Sequence, residues 1–339
     1  MKYKMRSDFP KDIKVNGESR VMKDKRQRTL IYILGAVALG FVVLFLFQGL
    51  NANNYQYNLS KRIPKVLAIT ITGGAIGFSS TIFQTLTGNR ILTPSTLGLD
   101  SLYGFFQTFV VFIFGTSSIL MKNSNANFIA SAMLMLVATM ILYKAVFNEK
   151  RNMFFLLLVG TVMGTLFRSM STFMQVIMDP NEFDSLQSKL FASFSNINVS
   201  VLLISVIVIL IVFAMMYDDV KNLDVLMLGR EHAINLGVDY KALSKKILFV
   251  VAILVSVSTA MVGSITFLGV LVTNLTYESF KTYKHKYLLM GSSIISIIAL
   301  VGGQFIVERI LDYNSKISII INFIGGIYFI YLLLKESKL

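Results

Sequence analysis

The chain has 339 residues, 55% of them hydrophobic and only 15% charged, with a net charge of +14 and a mean hydropathy of +0.67. An ordinary soluble domain is about 25% charged, so this balance excludes a soluble enzyme and a secreted disulfide domain. Long unbroken apolar runs also exclude an outer-membrane barrel, whose strands alternate over about ten residues, and the absence of Cys excludes disulfides, thiolate metal sites and cysteine nucleophiles.

Residues 1–28 are a polar tail with ten Lys or Arg and four Asp or Glu. The tail is expected to be disordered or to lie on anionic lipid, and 29–339 reads as one transmembrane domain. The first apolar run, 29–47, is too long for a signal-peptide core and no A-x-A site follows it, which predicts an uncleaved anchor. Further runs lie at 65–86, 97–114, 127–147, 153–174, 199–216, 246–263, 266–276, 287–306 and 317–334. A crossing helix needs about 20 apolar residues. The prediction is therefore an all-α polytopic membrane protein of about ten transmembrane helices, with 266–276 short enough to be a half-helix. An amphipathic piece near 183–194 is expected at the membrane surface. Pro64 is expected in the first turn of the second helix, where its missing N–H costs nothing. Gly73, Gly74 and Gly77 follow it and allow close helix packing. Trp is absent, so Tyr143, Tyr217, Tyr287 and Tyr313, which flank apolar runs, are expected to form the aromatic belt.

With the N-terminus inside and ten alternating spans, 24 of the 32 Lys and Arg fall in cytoplasmic segments and 7 outside, with Arg168 left within a span. The positive-inside rule then places both termini in the cytoplasm. The same distribution makes the basic charge a matter of topology and not of nucleic-acid affinity. His232 and His285 are far apart, and no His, Asp or Glu cluster has metal-ligand spacing. No G-x-x-x-x-G-K-[ST] occurs, so the chain does not itself hydrolyse ATP through a P-loop. The spans carry almost no Asp or Glu at mid-depth, where ion-coupled carriers keep ionisable groups. Uphill transport would then draw energy from another subunit, with an ion-coupled secondary transporter as the alternative. A membrane-embedded enzyme would need an intramembrane constellation such as paired Asp, and none is visible.

The fifth span carries a polar stripe. Thr161, Thr165, Arg168, Thr172 and Gln175 recur every three or four residues and so share one helix face. Charge in hydrocarbon costs at least about 2.5–3.5 kcal/mol at mid-membrane, so this face is expected to line a pathway, with Arg168 meeting an anionic solute. The competing reading is helix packing by small residues, with Arg168 snorkelling to the interface.

Four segments carry a family resemblance. Residues 61–104 read KRIPKVLAITITGGAIGFSSTIFQTLTGNRILTPSTLGLDSLYG. Their order resembles the permease subunits of bacterial iron–siderophore and vitamin B12 ABC importers at Arg62, Pro64, Lys65, Gln84, Asn89, Pro94, Leu97 and Gly98. The loop LDVLMLGREHAINLGVDYKAL, 223–243, resembles that family's cytoplasmic segment at Leu223, Leu226, Leu228, Gly229, Ala233, Leu236, Gly237 and Val238. VGSITFLGVLV at 262–272 and GGIYFIYLLLK at 325–335 resemble two later family motifs. Departures such as N-R-I-L-T-P for N-P-L-A-D-P resemble the branch serving ferric anguibactin, petrobactin and enterochelin.

The resemblance implies a non-enzymatic permease of the type II importer kind in the bacterial cytoplasmic membrane. It moves a ferric siderophore and binds no cofactor itself, while two cytoplasmic ATPases use ATP and magnesium. A second, similar permease and an extracellular siderophore-binding protein complete the expected assembly. Within the cytoplasmic loop 217–246, Leu226, Leu228, Ala233 and Leu236 are expected to be apolar knobs for the ATPase. Arg230 and Glu231 are expected at their rim, and Gly229 and Gly237 at the ends of two short helices. Arg62 and Lys65, with Arg309 as a third contact, are expected to meet acidic residues of the binding protein.

Overall fold

The polypeptide was analysed as a computed structural model, which describes residues 17–50, 55–146, 153–313 and 315–336. Among these residues the only extended pairing is a single bridge between Phe191 and Ser264. Everything regular is helix. The helices are α1 (Gly17–Phe47), α2 (Tyr55–Thr87), α3 (Leu99–Phe114), α4 (Ile119–Lys122), α5 (Ser124–Val146), α6 (Met153–Val176) and α7 (Pro180–Leu190). They continue with α8 (Val199–Met216), α9 (Val220–Leu226), α10 (Arg230–Asn235), α11 (Tyr240–Val262), α12 (Leu268–Phe280), α13 (His285–Arg309) and α14 (Ile317–Glu336). By length and composition, α1, α2, α5, α8, α11 and α13 can each cross a membrane, and α3 and α14 are shorter apolar helices.

Local chemistry sets several boundaries. Asn198 caps α8 by accepting from the Ser200 and Val201 amides, and Asp239 caps α11 through the Ala242 amide. Asp179 caps α7, and Pro180 takes the first helical position. Gly98, at φ 77°, turns a 3-10 segment, Pro94–Leu97, into α3.

The sequence reading misplaced two features. Pro64 does not start the second helix but lies inside α2, which begins at Tyr55. Hydropathy marked only the membrane-depth part of that helix, and the polar turns before it carried no apolar signal. Helix α1 begins at Gly17, so residues 17–28 of the expected tail are helical. Its residues 24–27 are anchored: Gln27 Nε2 donates to the Phe280 carbonyl at 2.5 Å, and Lys284 pairs with Asp24 at 2.8 Å. Residues 1–16 of the expected tail lie outside the described residues. Finally, Tyr217 and Tyr313 are exposed as a belt requires, but Tyr143 and Tyr287 are buried in the bundle.

Helix α2 is the axis of the bundle. Ala68, Ile69, Ala75, Ile82 and Phe83 on it are fully buried, and its two sides feed the two large apolar clusters. Its most extensive partner is α13. A methyl group added at Gly77 would stand 2.5 Å from the Ser292 carbonyl oxygen, and one at Gly73 would stand 3.1 Å from the Ile297 nitrogen. These two glycines let the backbones touch, whereas Gly74 has nothing within 4 Å of the corresponding position. A similar contact sets α6 against the 3-10 turn: methyls at Gly160 and Gly164 would come within 2.9 Å of the Cα atoms of Leu97 and Gly98. Gly77→Ala is expected to lower stability by about 1–3 kcal/mol through overpacking. Gly74→Ala should leave it unchanged or raise it by up to about 1 kcal/mol. Thermal unfolding of the detergent-solubilised variants separates the two outcomes.

Candidate functional site

Three surfaces collect the residues singled out above. At one end of the bundle, α9 and α10 form a compact pair. Gly229, at φ 98°, separates them, and Gly237, at φ 86°, ends α10. The Val238 amide bonds the Ala233 carbonyl and the Gly237 amide bonds that of Ile234, which is the Schellman arrangement and fixes the exit toward α11. The expected apolar knobs divide by exposure. Leu226 is 3% exposed and Ala233 fully buried, both packed into the protein's own core, so neither is available to a partner. Leu228 and Leu236 are exposed, at 59% and 63%, and Ile234 joins them. On helices this short the sequence does not show which face turns inward, and the apolar register alone could not separate the two pairs. Arg230 lies 5.4 Å from the centre of the Tyr240 ring, and Glu231 is exposed.

The inner side of α9 makes a polar contact that the sequence reading missed. Asp224 Oδ1 accepts from the backbone amide of His285 at 2.6 Å and lies 2.8 Å from its Nδ1. His285 Nε2 lies 2.7 Å from Thr85 Oγ1 on α2, and the ring is fully buried. Nearby, Lys246 and Asn222 donate to Asp219. Burial alone would raise the Asp219 carboxyl, but these hydrogen bonds outweigh it and hold it below its ordinary range. No sequence pattern joins residues so far apart along the chain.

Four of the five residues of the stripe lie on an exposed face of α6. Thr161, Thr165, Arg168 and Thr172 are all exposed on this chain, whereas Gln175 turns to α3 and donates to Thr108 Oγ1 at 3.0 Å. Each threonine hydroxyl donates to a carbonyl of its own helix: Thr161 to Leu158, Thr165 to Thr161 and Thr172 to Arg168. Exposed Leu158, Val162, Leu166, Met170 and Phe173 continue around the same helix. Among the described residues no group of three or more His, Asp or Glu is placed to hold a metal.

At the opposite end of the bundle, Arg62 donates to the carbonyls of Leu46 and Gln48 at 2.7 and 2.9 Å, and Arg309 donates to that of Gln48 at 3.2 Å. Both cations thus sit on the unsatisfied carbonyls that end α1, where the helix dipole favours positive charge. Lys65 departs from the expectation. It is buried, not free on the rim, and its ammonium pairs with Glu308, which also accepts from Gln304 at 2.7 Å. A charge at this depth needs a paired counter-charge, and Glu308 supplies it. Burial, followed by the Glu308 carboxylate, pushes the neighbouring Tyr313 hydroxyl up to about 12.

The FecCD transport family model matches residues 27–335. The chain belongs to the FecCD transport family. It is 56% identical over 314 residues to the petrobactin import system permease protein YclO of Bacillus subtilis (strain 168), covering 92% of this chain and 99% of that one. It is 32% identical to the petrobactin import system permease protein FatC of Bacillus anthracis over 99% of both chains. To the vitamin B12 import system permease protein BtuC of Vibrio parahaemolyticus it is 29% identical, over 88% of each. A solved structure, described as an inward-facing conformation of a transporter of the metal-chelate ABC type, superposes with a TM-score of 0.79 at 20% identity. That match covers 91% of this chain and 99% of the other, and it bears out the all-helical permease fold.

The buried pair gives a direct test. Lys65→Met leaves Glu308 charged and uncompensated, which costs about 3–5 kcal/mol. Lys65→Met combined with Glu308→Met removes both charges and should recover most of that loss. Unfolding midpoints of the single and double variants in detergent check the difference.

Proposed function

We propose that this chain is the permease subunit of an ATP-binding-cassette importer that carries a ferric siderophore of the petrobactin kind across the bacterial cytoplasmic membrane. The observation that carries the reading is the 56% identity to a petrobactin import permease along 92% of the chain. The chain itself performs no chemical reaction. All ten predicted spans fall on helices, which supports a ten-span topology, and the basic-residue distribution supports cytoplasmic termini. Residues 1–28 then form a basic cytoplasmic segment and 29–339 the permease domain.

The other parts of the machine follow from the same reading. Two cytoplasmic ATPases use ATP and magnesium and dock on the exposed Leu228, Ile234 and Leu236, with Arg230 and Glu231 at the rim. A second permease completes the pathway, and the paired names FatC and FatD among the relatives, at 32% and 24% identity to this chain, support two different subunits. The exposed face of Thr161, Thr165, Arg168 and Thr172 then lines the shared pathway. Arg62 and Arg309 face an extracellular binding protein, where rim charges steer encounter more than they add affinity. Lys65 acts there only through Glu308.

Two experiments test this. Membrane vesicles holding the chain, its partner permease, the ATPases and the binding protein should accumulate ferric petrobactin only when ATP is supplied on the ATPase side. Accumulation driven by an ion gradient without the ATPases would overturn the reading in favour of an ion-coupled carrier. For the docking surface, Leu228→Asp with Leu236→Asp should reduce ATPase co-purification about tenfold or more while leaving the unfolding midpoint in place. Ala233→Glu should instead lower the midpoint, because Ala233 is fully buried.

A further inference from the structure

The contact between α9 and the membrane helices has two parts of different character. Leu223 and Leu226 sit in the apolar core. Such contact holds α9 down but is non-directional and does not fix its position along the surface. Asp224, between them, makes a directional contact. An ionised carboxylate only accepts hydrogen bonds, so the proton on the facing ring nitrogen, His285 Nδ1, points at Asp224. The same oxygen takes the first amide of α13, one of the donors that a helix start leaves unsatisfied. Asp224 is therefore locked to both the backbone and the side chain of one residue. The His285 side chain is fully buried, so water reaches this contact only from the Asp224 side.

From His285 the polar chain continues into the bundle. Nε2 lies 2.7 Å from Thr85 Oγ1, whose single proton is shared between this nitrogen and the Thr81 carbonyl, 2.9 Å away. Thr81 Oγ1 lies 2.9 Å from Ser292 Oγ, which lies 3.1 Å from the Gly77 carbonyl. The seam runs from α9 along the α2–α13 interface and ends where Gly77 brings the two backbones together.

We propose that His285 is a positioning residue for energy coupling: through Asp224 and Thr85 it makes α9, α13 and α2 move as one body when the α9–α10 surface is pushed. The inference rests on the ATP-driven reading above and adds to it the element by which motion enters the membrane. A hydrogen bond tolerates little change in length or angle, so a displacement of α9 is passed to the start of α13 and is not lost in sliding between apolar side chains. Coupling through such a link is measurable as a free energy shared between the two sites.

The test uses the complete complex in proteoliposomes, with ferric petrobactin transported per ATP hydrolysed as the readout. His285→Asn keeps an amide donor near the Nδ1 position and so keeps Asp224. His285→Gln places its amide near the Nε2 position, reaching Thr85 but releasing Asp224. The expected result is that Asn retains at least about half of the wild-type ratio while Gln lowers it about fivefold or more, at equal amounts of assembled complex. Asp224→Ala should lower the ratio as Gln does, and the double variant should be no worse than either single change, because all three break one link. A residue that only stabilised the fold would reduce the amount of complex for Asn and Gln alike and leave the ratio untouched. A wild-type ratio for His285→Gln overturns the proposal. Should both His285 variants fail to assemble, Asp224→Ala, at a side chain 29% exposed, decides alone: a normal ratio overturns it and a lowered one supports it. Absence of ATP-dependent uptake in the wild-type complex would instead overturn the functional reading itself.

Discussion

The backbone contact between α2 and α13 is the constraint on which the rest of the bundle leans. Helices in lipid gain little from hydrophobicity when they associate, since the lipid tails they leave are equally apolar. What remains is close packing and polar contact, and this pair has both. Gly73 and Gly77 remove the side chains that would keep the backbones apart, and Ser292 and Ser293 donate across the gap to the carbonyls of Gly77 and Gly74. With this pair set, α2 presents one flank to the cluster that includes α5, α8 and α11 and the other to the cluster that includes α1, α12 and α14.

The same two helices are pinned again at both ends. Lys65 of α2 pairs with Glu308 of α13 at one end, and Thr85 of α2 meets His285 of α13 at the other. Polar contacts buried this deeply add little net stability but penalise every other register, because a slip would leave charges and donors unpaired. The three contacts together fix α2 against α13 in both translation and rotation. Neighbouring elements attach to this unit through its ends: α1 through Arg62 and Arg309, and α9 through Asp224.

Helix positions were legible in the sequence wherever a long apolar run set them, and α8, with no charged residue in its 18, is the plainest case. Short elements were legible in kind but not in face. The glycine punctuation at 229 and 237 predicted two short helices, yet nothing in the local pattern told that Leu226 and Ala233 turn inward while Leu228 and Leu236 turn out. Contacts between distant residues were not legible at all. Glu308 neutralises Lys65 from 243 positions away, and Asp224 meets His285 across 61. A pairing of this kind is a product of the assembled fold. Read as isolated letters, Lys65 looked like a rim charge and the two histidines looked inert.

The separation of α2 from α13 has a consequence for the order of synthesis. Thr81 and Ser292 are 211 residues apart. At about 5–20 residues per second, α2 waits some ten seconds or more in the bilayer before its partner exists. During that wait it carries hydroxyls into hydrocarbon, where an unsatisfied donor costs several kcal/mol. Thr70, Thr81 and Thr85 meet this by donating to carbonyls of α2 itself, those of Val66, Gly77 and Thr81. These three hydroxyls are thus satisfied within α2 itself, and each of those oxygens keeps a lone pair in reserve, whereas the counter-charge of Lys65 lies on α13. When α13 is at last released from the ribosome, docking brings Ser292 Oγ to 2.9 Å from Thr81 Oγ1 and Glu308 to Lys65, so the late partner meets hydroxyls already satisfied and supplies the counter-charge that α2 lacks on its own.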